Sequence, residues 1–216
     1  MASASRQREF PAILAYSCLV TDSRVAALFD VDHTLLDVDT GLYWARHQHR
    51  AGMISTANLL RASLWMIRYR LARLDQETLI GRIARMYAGT PVAQAEAEVR
   101  GWFETEMTRF IRPAGLDRVR EHIAAGHIVA LVSSGTRYTL EPLARLLGIS
   151  HVLCTAFEER DGLLTGKHVS PACAGLGKVV HAERFAAEQG VDLAASYFYT
   201  DSYTDLSLLS LVHYHF

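Results

Sequence analysis

The stretch Arg24-Val-Ala-Ala-Leu-Phe-Asp-Val-Asp-His-Thr-Leu-Leu36 decides the fold of this chain. Its first part is a short apolar run without polar alternation, which is typical of a strand buried in a parallel sheet. The run ends at Asp30 and Asp32, and ligands of open α/β sheets bind outside the carboxyl ends of the strands. Two carboxylates this close repel each other unless a cation or a shared proton compensates. The stretch therefore predicts either a reactive acidic site or a turn in which each Asp is a capping residue.

Strand and helix patterns alternate through the second half of the chain. The helical patterns cover 116–125, 137–147, 177–189 and 204–211, and the strand patterns cover 127–132, 151–155 and 196–200. This alternation predicts a Rossmann-like, doubly wound parallel sheet of the α/β class. Residues 41–110 are helical throughout and are therefore expected as an insertion after the first strand. Asp161-Gly162 lies between apolar flanks and predicts a tight hairpin turn.

The patterns divide the chain into three parts. Residues 1–23 are expected to be an N-terminal extension, 24–40 and 111–216 the α/β core, and 41–110 the helical insertion. The apolar run inside the extension lacks a small-residue cleavage site, so we do not expect a secretory signal. No stretch reaches the roughly 18 uninterrupted apolar residues of a membrane-spanning helix.

A second pair of carboxylates follows the strand pattern at 197–200, where Asp201 and Asp205 are four residues apart. Taken singly, Asp201 would cap the last helix and Asp205 would favour the dipole of its N-terminus. Taken with Asp30 and Asp32, they place acidic groups after both the first and the last core strand. Four carboxylates in one crevice suit a hard divalent cation. Mg²⁺ fits best, because it takes few carboxylates and leaves positions for water and phosphate.

Two further segments are typical of phosphate binding. Ser133, Ser134 and Gly135 follow a strand and precede a helix, where backbone N–H groups and the helix dipole attract anions. N-capping by Ser134 or Thr136 explains this segment equally well. Lys178 opens another helix, where its charge opposes the helix dipole unless an anion offsets it. The alternative for Lys178 is a solvated surface lysine.

In their order and spacing, these motifs resemble the haloacid dehalogenase (HAD) superfamily of phosphatases over residues 25–212. The family pattern is DxDxT after the first strand, Ser or Thr after the second, Lys on a later helix, and D-x3-D after a further strand. The chain is similar to subfamily IB, which includes phosphoserine phosphatase-like and histidinol-phosphatase-like enzymes. The matching residues are Asp30, Asp32, Thr34, Ser133, Lys178, Asp201 and Asp205.

The resemblance implies roles for these residues. Asp30 is the nucleophile that forms an aspartyl-phosphate, and Asp32 is the general acid and base. The implied ligands of Mg²⁺ are Asp30, Asp32 through its main-chain carbonyl, Asp201 and Asp205. The implied phosphate-binding residues are Ser133, Ser134, Gly135, Lys178 and Thr204.

The resemblance also concerns the substrate and the C-terminus. The helical insertion is similar to a type I cap, which is expected to decide the substrate. In phosphoserine phosphatases a Glu at the position of Asp39 contacts the substrate's amino group, so Asp39 favours an amine-bearing phosphate ester. An N-cap of the following helix explains Asp39 equally well.

Relatives continue past the last helix, whereas this chain stops at Phe216. We therefore expect a truncated edge strand, which would favour dimerisation through unpaired backbone.

Composition narrows the classes of function. Of the 216 residues, half are apolar and 21% are charged, as in an ordinary globular protein. The net charge of -1 indicates no polyanion-binding surface, so nucleic acid is not an expected partner. The three cysteines, Cys18, Cys154 and Cys173, form no CxxC pair, so a reducing cytoplasm is the expected location.

The leading hypothesis is a Mg²⁺-dependent phosphomonoesterase for a small phosphorylated metabolite, such as phosphoserine or histidinol phosphate. One alternative is a non-enzymatic phosphoryl-binding or signalling module, against which Asp32 and the large insertion argue. Another is a lipid-phosphate phosphatase at a membrane surface that uses the Arg-rich stretch 54–74. We expect this stretch to pack as an amphipathic helix inside the helical subdomain, so a membrane is not an expected partner.

Overall fold

The computed structural model describes residues 24–71 and 73–215, so the expected N-terminal extension at 1–23 lies outside the described residues. In chain order the strands are β1 (Ala26–Phe29), β2 (Ile128–Thr136), β3 (His151–Thr155), β4 (Phe157–Arg160), β5 (Leu163–His168), β6 (Tyr197–Tyr199) and β7 (Tyr214–His215). Five of them form one sheet in the order β3-β2-β1-β6-β7, and every pair in it is parallel. The predicted α/β fold with a parallel sheet is confirmed.

β1 is the central strand of this sheet. Ala26 pairs with Ile128 of β2, and Ala27 pairs with Tyr197 of β6. All four residues of β1 are buried, because apolar clusters cover both faces of the sheet. This double burial explains why the strand reads as a continuous apolar run. The chain leaves the sheet at Asp30, between the ends of its two neighbours.

The helices overlap the predicted helical patterns, but several are shorter, and the helical pattern that was expected to run to residue 110 ends in a π-helical turn at Phe103–Met107 and a 3-10 turn at Thr108–Phe110. They are α1 (Thr40–Arg50), α2 (Thr56–Arg70), α3 (Gln76–Met86), α4 (Val92–Trp102), α5 (Pro113–Ala124), α6 (Arg137–Leu147), α7 (Leu176–Gln189) and α8 (Leu206–Leu209). α2 is shorter than the pattern at 54–74. α8 is a single turn, preceded by a 3-10 turn at Tyr203–Asp205. α1 to α4 all lie between β1 and β2 in the chain, where the helical insertion was expected.

The helical segment packs on the sheet through aromatic side chains. The rings of Trp44 in α1 and Trp102 in α4 are 5.0 Å apart and belong to the same apolar cluster as Phe29 of β1. Trp44 Nε1 donates a hydrogen bond to the Tyr87 hydroxyl at 3.0 Å, and that hydroxyl donates to Gln48 Oε1 at 3.0 Å. The apolar cluster therefore packs the segment on the sheet, and the hydrogen bonds join α1 to the end of α3.

β4 and β5 form an antiparallel hairpin that is bonded to the helical segment. The predicted turn is confirmed, since Asp161 and Gly162 both have left-handed φ values, 52° and 75°. The N–H of Gly89 donates to the carbonyl of Leu164 at 2.8 Å, and the N–H of Leu164 donates to the carbonyl of Thr90 at 2.9 Å. The hairpin is thereby joined to the loop between α3 and α4.

Two strand ends differ from the sequence expectations. β2 was predicted to end at Val132 but continues to Thr136, with a register shift against β3 between Ser133 and Thr136. The expected truncated edge is a two-residue strand, β7, whose Tyr214 pairs with Tyr197 of β6. Dimerisation through this edge stays a prediction.

α7 begins in close contact with the loop that precedes it. A Cβ atom at Gly177 would overlap the carbonyl oxygen of Ala172. Only glycine allows the two backbones to approach this closely, and the approach fixes the position of the next residue, Lys178.

We predict that Gly177→Ala lowers the free energy of unfolding by about 2–4 kcal/mol, because the obstructing atom belongs to the backbone and cannot rotate away. Gly101→Ala is the matched control. An added Cβ at Gly101 in α4 meets nothing within 4 Å, so alanine there should be neutral or stabilise the helix by up to ~1 kcal/mol. Urea denaturation measures both variants. Equal stability of the two variants would contradict the described packing.

Candidate functional site

The carboxyl ends of β1 and β6 lie side by side and bring together the residues that follow them. The backbone N–H of Asp30 donates to the carbonyl of Tyr199 at 2.9 Å. The Thr200 hydroxyl lies 3.4 Å from Asp30 Oδ2. The ends of the first strand and of the strand before Asp201 therefore meet at one edge of the sheet, as the topology of parallel strands requires.

Lys178 is the cation at this edge. Its side chain is buried, and its Nζ lies 3.0 Å from Asp30 Oδ1 and 2.7 Å from Asp205 Oδ2. Lys178 and Asp205 retain only 4% and 1% of their surface exposed. The surface-lysine interpretation is therefore wrong. The lysine enters the site because the close approach at Gly177 holds the start of α7 beneath the sheet edge.

The charges in this cluster shift one another's pKa values. Burial raises the pKa of Asp30, the Lys178 ammonium opposes that shift, and the Asp205 carboxylate adds to it. Burial alone would lower the pKa of Lys178, but the two carboxylates more than offset this effect and raise it. The lysine therefore stays charged, and it compensates two acidic groups that would otherwise repel each other.

Thr200 is part of the candidate site, although it was not predicted from the sequence. Its hydroxyl donates to Asp205 Oδ2 at 2.8 Å, in addition to its longer contact with Asp30. The hydroxyl also accepts a hydrogen bond from the backbone N–H of Ser202 at 3.1 Å. A hydroxyl residue directly before the second acidic pair is the only signal in the sequence that indicates this role.

Asp32 lies beside the first cluster, at the start of the helical segment. Its Oδ1 accepts a hydrogen bond from the backbone N–H of Thr40 at 3.1 Å. Burial and the nearby Asp39 carboxylate raise the pKa of Asp32 to about 7. His33, directly after Asp32, has a left-handed φ of 58°, which turns the chain sharply after the second acidic residue.

The segment Ser133–Gly135 is part of β2 rather than a loop. Ser133 is buried, and its Oγ accepts a hydrogen bond from the N–H of Gly135 at 3.2 Å. Thr136 precedes α6 but makes no side-chain capping bond. These residues lie at the end of β2 where its register against β3 shifts. Phosphate binding by Ser133, Ser134 and Gly135 stays a prediction.

Thr204 and Asp39 have local partners. The Thr204 hydroxyl is hydrogen-bonded to the Ser202 hydroxyl at 2.7 Å. Tyr69 of α2 also contacts Thr204, and burial raises the pKa of this tyrosine while the Thr204 hydrogen bond opposes the shift.

Asp39 lies at the N-terminus of α1. Its Oδ1 accepts a hydrogen bond from the N–H of Leu42 at 2.8 Å, so Asp39 caps α1 as the alternative interpretation predicted. A substrate contact for Asp39 stays a prediction.

Glu77, at the start of α3, holds the loop that precedes Lys178. Its carboxylate accepts hydrogen bonds from His168 Nε2 and Ser170 Oγ, both at 2.8 Å, and from the N–H of Ala172 at 3.1 Å. One side chain of the helical segment therefore fixes the end of β5 and the loop against which Gly177 packs.

The donor chemistry of the edge fits a hard cation. Within residues 24–71 and 73–215, no three His, Cys, Asp or Glu side chains are grouped so that they alone would hold a metal ion. Mg²⁺ needs only one or two carboxylates, because water and phosphate oxygens complete its shell. Asp30 and Asp205 already share one cation, the Lys178 ammonium. The Asp201 side chain is exposed and makes no hydrogen bond or ion pair with a described residue. Its role as a ligand stays a prediction.

A comparison with protein families matches residues 27–210 to the haloacid dehalogenase-like hydrolases. The chain belongs to the haloacid dehalogenase-like hydrolase family. The resemblance drawn from the acidic motifs is thereby confirmed, and the buried Asp30–Lys178–Asp205 cluster is the candidate active site of a hydrolase.

Two curated relatives have names that specify a substrate. A histidinol-phosphatase of Neisseria meningitidis is 29% identical over 196 residues, which are 86% of this chain and 86% of that protein. A phosphoserine phosphatase of Mycobacterium tuberculosis is 27% identical over 195 residues, which are 88% of this chain and 63% of that protein.

Solved structures show the same fold. A protein of unknown function from Bordetella pertussis is 32% identical, with a TM-score of 0.82 over 89% of both chains. A substrate-bound phosphoserine phosphatase is 19% identical, with a TM-score of 0.66 over 89% of this chain and 84% of that one.

We predict that Lys178→Met lowers the free energy of unfolding at pH 8 by about 3–5 kcal/mol, because it leaves two buried carboxylates without their counter-charge. The loss should shrink towards pH 5 as Asp30, whose pKa is already raised, takes up a proton. Chemical denaturation at the two pH values measures both effects.

Lys167→Met is the matched control, because Lys167 is exposed on β5. Its stability should equal that of the wild type at both pH values. A Lys178→Met variant as stable as Lys167→Met at pH 8 would show that the cluster does not depend on the lysine charge.

Proposed function

We propose that this hydrolase is a Mg²⁺-dependent phosphomonoesterase that works through an aspartyl-phosphate on Asp30. The observation that carries the proposal is the buried Asp30 carboxylate, which lies against Lys178 and Thr200 at the carboxyl edge of the sheet. A second acid, Asp32, follows two residues later and has a pKa near neutrality. A nucleophile beside a cation and a separate acid are the parts that phosphate ester hydrolysis requires.

Asp30 is held so that one of its oxygens is available for attack. Oδ1 accepts from the N–H of Val31 at 2.9 Å and contacts Lys178, whereas Oδ2 has only the longer contact with Thr200. Attack by Oδ2 forms a bond to phosphorus and breaks the bond between phosphorus and the ester oxygen. Water then hydrolyses the aspartyl-phosphate, releases inorganic phosphate and restores the carboxylate.

Asp32 provides the proton for the leaving group. With a pKa of about 7, a substantial fraction of Asp32 is protonated at neutral pH and can donate to the departing alcohol oxygen. The resulting carboxylate then accepts a proton from the attacking water. The hydrogen bond from the N–H of Thr40 orients this carboxyl group and connects it to the start of α1.

The phosphate charge needs positive partners at the same edge. Lys178 supplies one, and Ser133, Ser134, Gly135 and Thr204 are the proposed hydrogen-bonding groups. Asp30, the Asp32 carbonyl, Asp201 and Asp205 are the proposed groups that hold Mg²⁺. When bound, the ion supplies a second positive charge beside the phosphate oxygens.

The substrate that we propose is a small amine-bearing phosphate ester, phosphoserine or histidinol phosphate. The names of the two curated relatives support this choice at 27–29% identity. We further propose that residues 41–110 act as a cap over the site, since Tyr69 of α2 reaches Thr204 at the sheet edge.

We propose a reducing cytoplasm as the location of the protein. The free thiols of Cys154 and Cys173 accord with such a compartment.

The alternative of a non-enzymatic phosphoryl-binding module has less support. Such a module needs one phosphorylated carboxylate and its cation, but no second acid. Asp32, with its raised pKa and its own backbone hydrogen bond, has no role in that alternative.

We predict that wild-type protein hydrolyses p-nitrophenyl phosphate with Mg²⁺ and that Asp30→Asn reduces the rate to background, because the amide is not a nucleophile. Asp32→Asn should reduce kcat by about 10²–10⁴-fold through loss of proton transfer. Steady-state assays with and without EDTA measure rate and metal dependence. A panel of phosphoserine, histidinol phosphate, sugar phosphates and a lipid phosphate then ranks the substrates by kcat/KM.

Asp117→Asn is the matched control, because Asp117 is an exposed residue of α5 that only pairs with Arg120 at 3.6 Å. Its activity should equal that of the wild type. A wild-type rate no higher than that of Asp30→Asn and Asp32→Asn would refute the proposed function.

A further inference from the structure

The outer side of α2 and the turn that follows it carry an apolar stripe exposed to solvent. Leu60, Leu64, Ile67 and Leu71 follow one another at spacings of four, three and four residues, which places them on one helix face. Their exposed fractions are 65%, 52%, 54% and 60%. Large apolar side chains that are exposed in a continuous row, rather than singly, indicate an interaction surface.

The opposite side of α2 already has its partners. The Arg82 guanidinium of α3 lies 5.7 Å from the ring of Trp65, and Tyr69 contacts Thr204 near the active site. The sequence predicts that the stretch 54–74 packs as an amphipathic helix inside the helical subdomain. In the part of the chain that the structure describes, the side with Trp65 and Tyr69 has packing partners, whereas the stripe lies on the opposite, exposed side.

The charge around the stripe has one sign. The stretch 54–74 contains four arginines and no acidic residue. Arg61 and Arg68 are exposed beside the stripe, and neither forms an ion pair with a carboxylate in the described residues; Arg61 donates to Asn58 at 3.1 Å. The nearest carboxylate in the sequence, Asp75, accepts from the N–H of Thr78 as the N-cap of α3. The surface therefore combines an apolar row with uncompensated positive charge.

We infer that this face binds the surface of an anionic lipid bilayer. Apolar side chains enter the boundary between headgroups and acyl chains, and arginines beside them pair with anionic headgroups. A second copy of the chain fits less well, because pairing two such faces would bring arginines together without a carboxylate between them. No helix within residues 24–71 and 73–215 is long and apolar enough to cross a membrane.

This orientation has a consequence for the active site. The stripe and Tyr69 are on the same helix, and Tyr69 is linked through Thr204 to the loop of Asp205. A bilayer bound to α2 would thus be one helix diameter, about 10 Å, from the edge of the site. The inference goes beyond the proposed phosphatase activity and does not require it.

The test is co-sedimentation of the full chain with vesicles of phosphatidylcholine alone or with about one third phosphatidylglycerol. Wild-type protein should bind the anionic vesicles, and the binding should weaken as salt increases. The double variants Leu64→Gln/Ile67→Gln and Arg61→Gln/Arg68→Gln should each bind about tenfold or more weakly. A far-UV circular dichroism spectrum and an unfolding midpoint equal to those of the wild type would show that Leu64→Gln/Ile67→Gln is folded.

The matched controls lie on other exposed helices. Leu146→Gln changes an exposed leucine of α6, and Arg118→Gln/Arg120→Gln removes two exposed arginines of α5. Both should bind vesicles as the wild type does. Absence of wild-type binding to anionic vesicles would overturn the inference. So would binding as strong as that of the wild type by Leu64→Gln/Ile67→Gln or by Arg61→Gln/Arg68→Gln. So would a lipid-free dimer, seen by sedimentation equilibrium, that Leu64→Gln/Ile67→Gln dissociates. Because sedimentation does not depend on catalysis, its outcome is independent of the phosphatase assay.

Discussion

The contact of one buried ammonium with two buried carboxylates is the interaction on which the site depends. Lys178 lies between Asp30, at the end of β1, and Asp205, in the 3-10 turn that follows β6. Without that charge, the strand ends would bring two anions together in a region that excludes water. In the proposed mechanism the same ammonium also attracts the phosphate group of the substrate. One side chain would then meet both the requirement for stability and the requirement for phosphate binding.

Several structural features serve to place that lysine. The close backbone approach at Gly177 fixes the first turn of α7, and the loop before it is held by Glu77 from α3. The helical segment in turn packs on the sheet, because Trp44 and Trp102 belong to the same apolar cluster as Phe29 of β1. The position of the reactive groups thus depends on packing between parts of the chain that are about 100 residues apart.

The fold could be predicted from the sequence because the strands buried on both faces have a distinct pattern. β1 and the turn at Asp161 are local features that a sequence displays directly. The role of Thr200 and the length of β2 could not be predicted, because each depends on a neighbouring strand. For the same reason, Lys178 was predicted as a phosphate ligand or a surface residue but not as the bridge between two carboxylates.

The central claim is that the Asp30 carboxylate reacts with phosphorus. The most direct measurement is to quench the protein in acid during turnover of p-nitrophenyl phosphate with Mg²⁺. Reduction with borohydride and peptide mapping by mass spectrometry then locate any acyl phosphate. Our account predicts a reduced carboxyl at Asp30 and none in Asp30→Asn. Turnover with an unmodified Asp30, or with modification of another carboxylate instead, would contradict it.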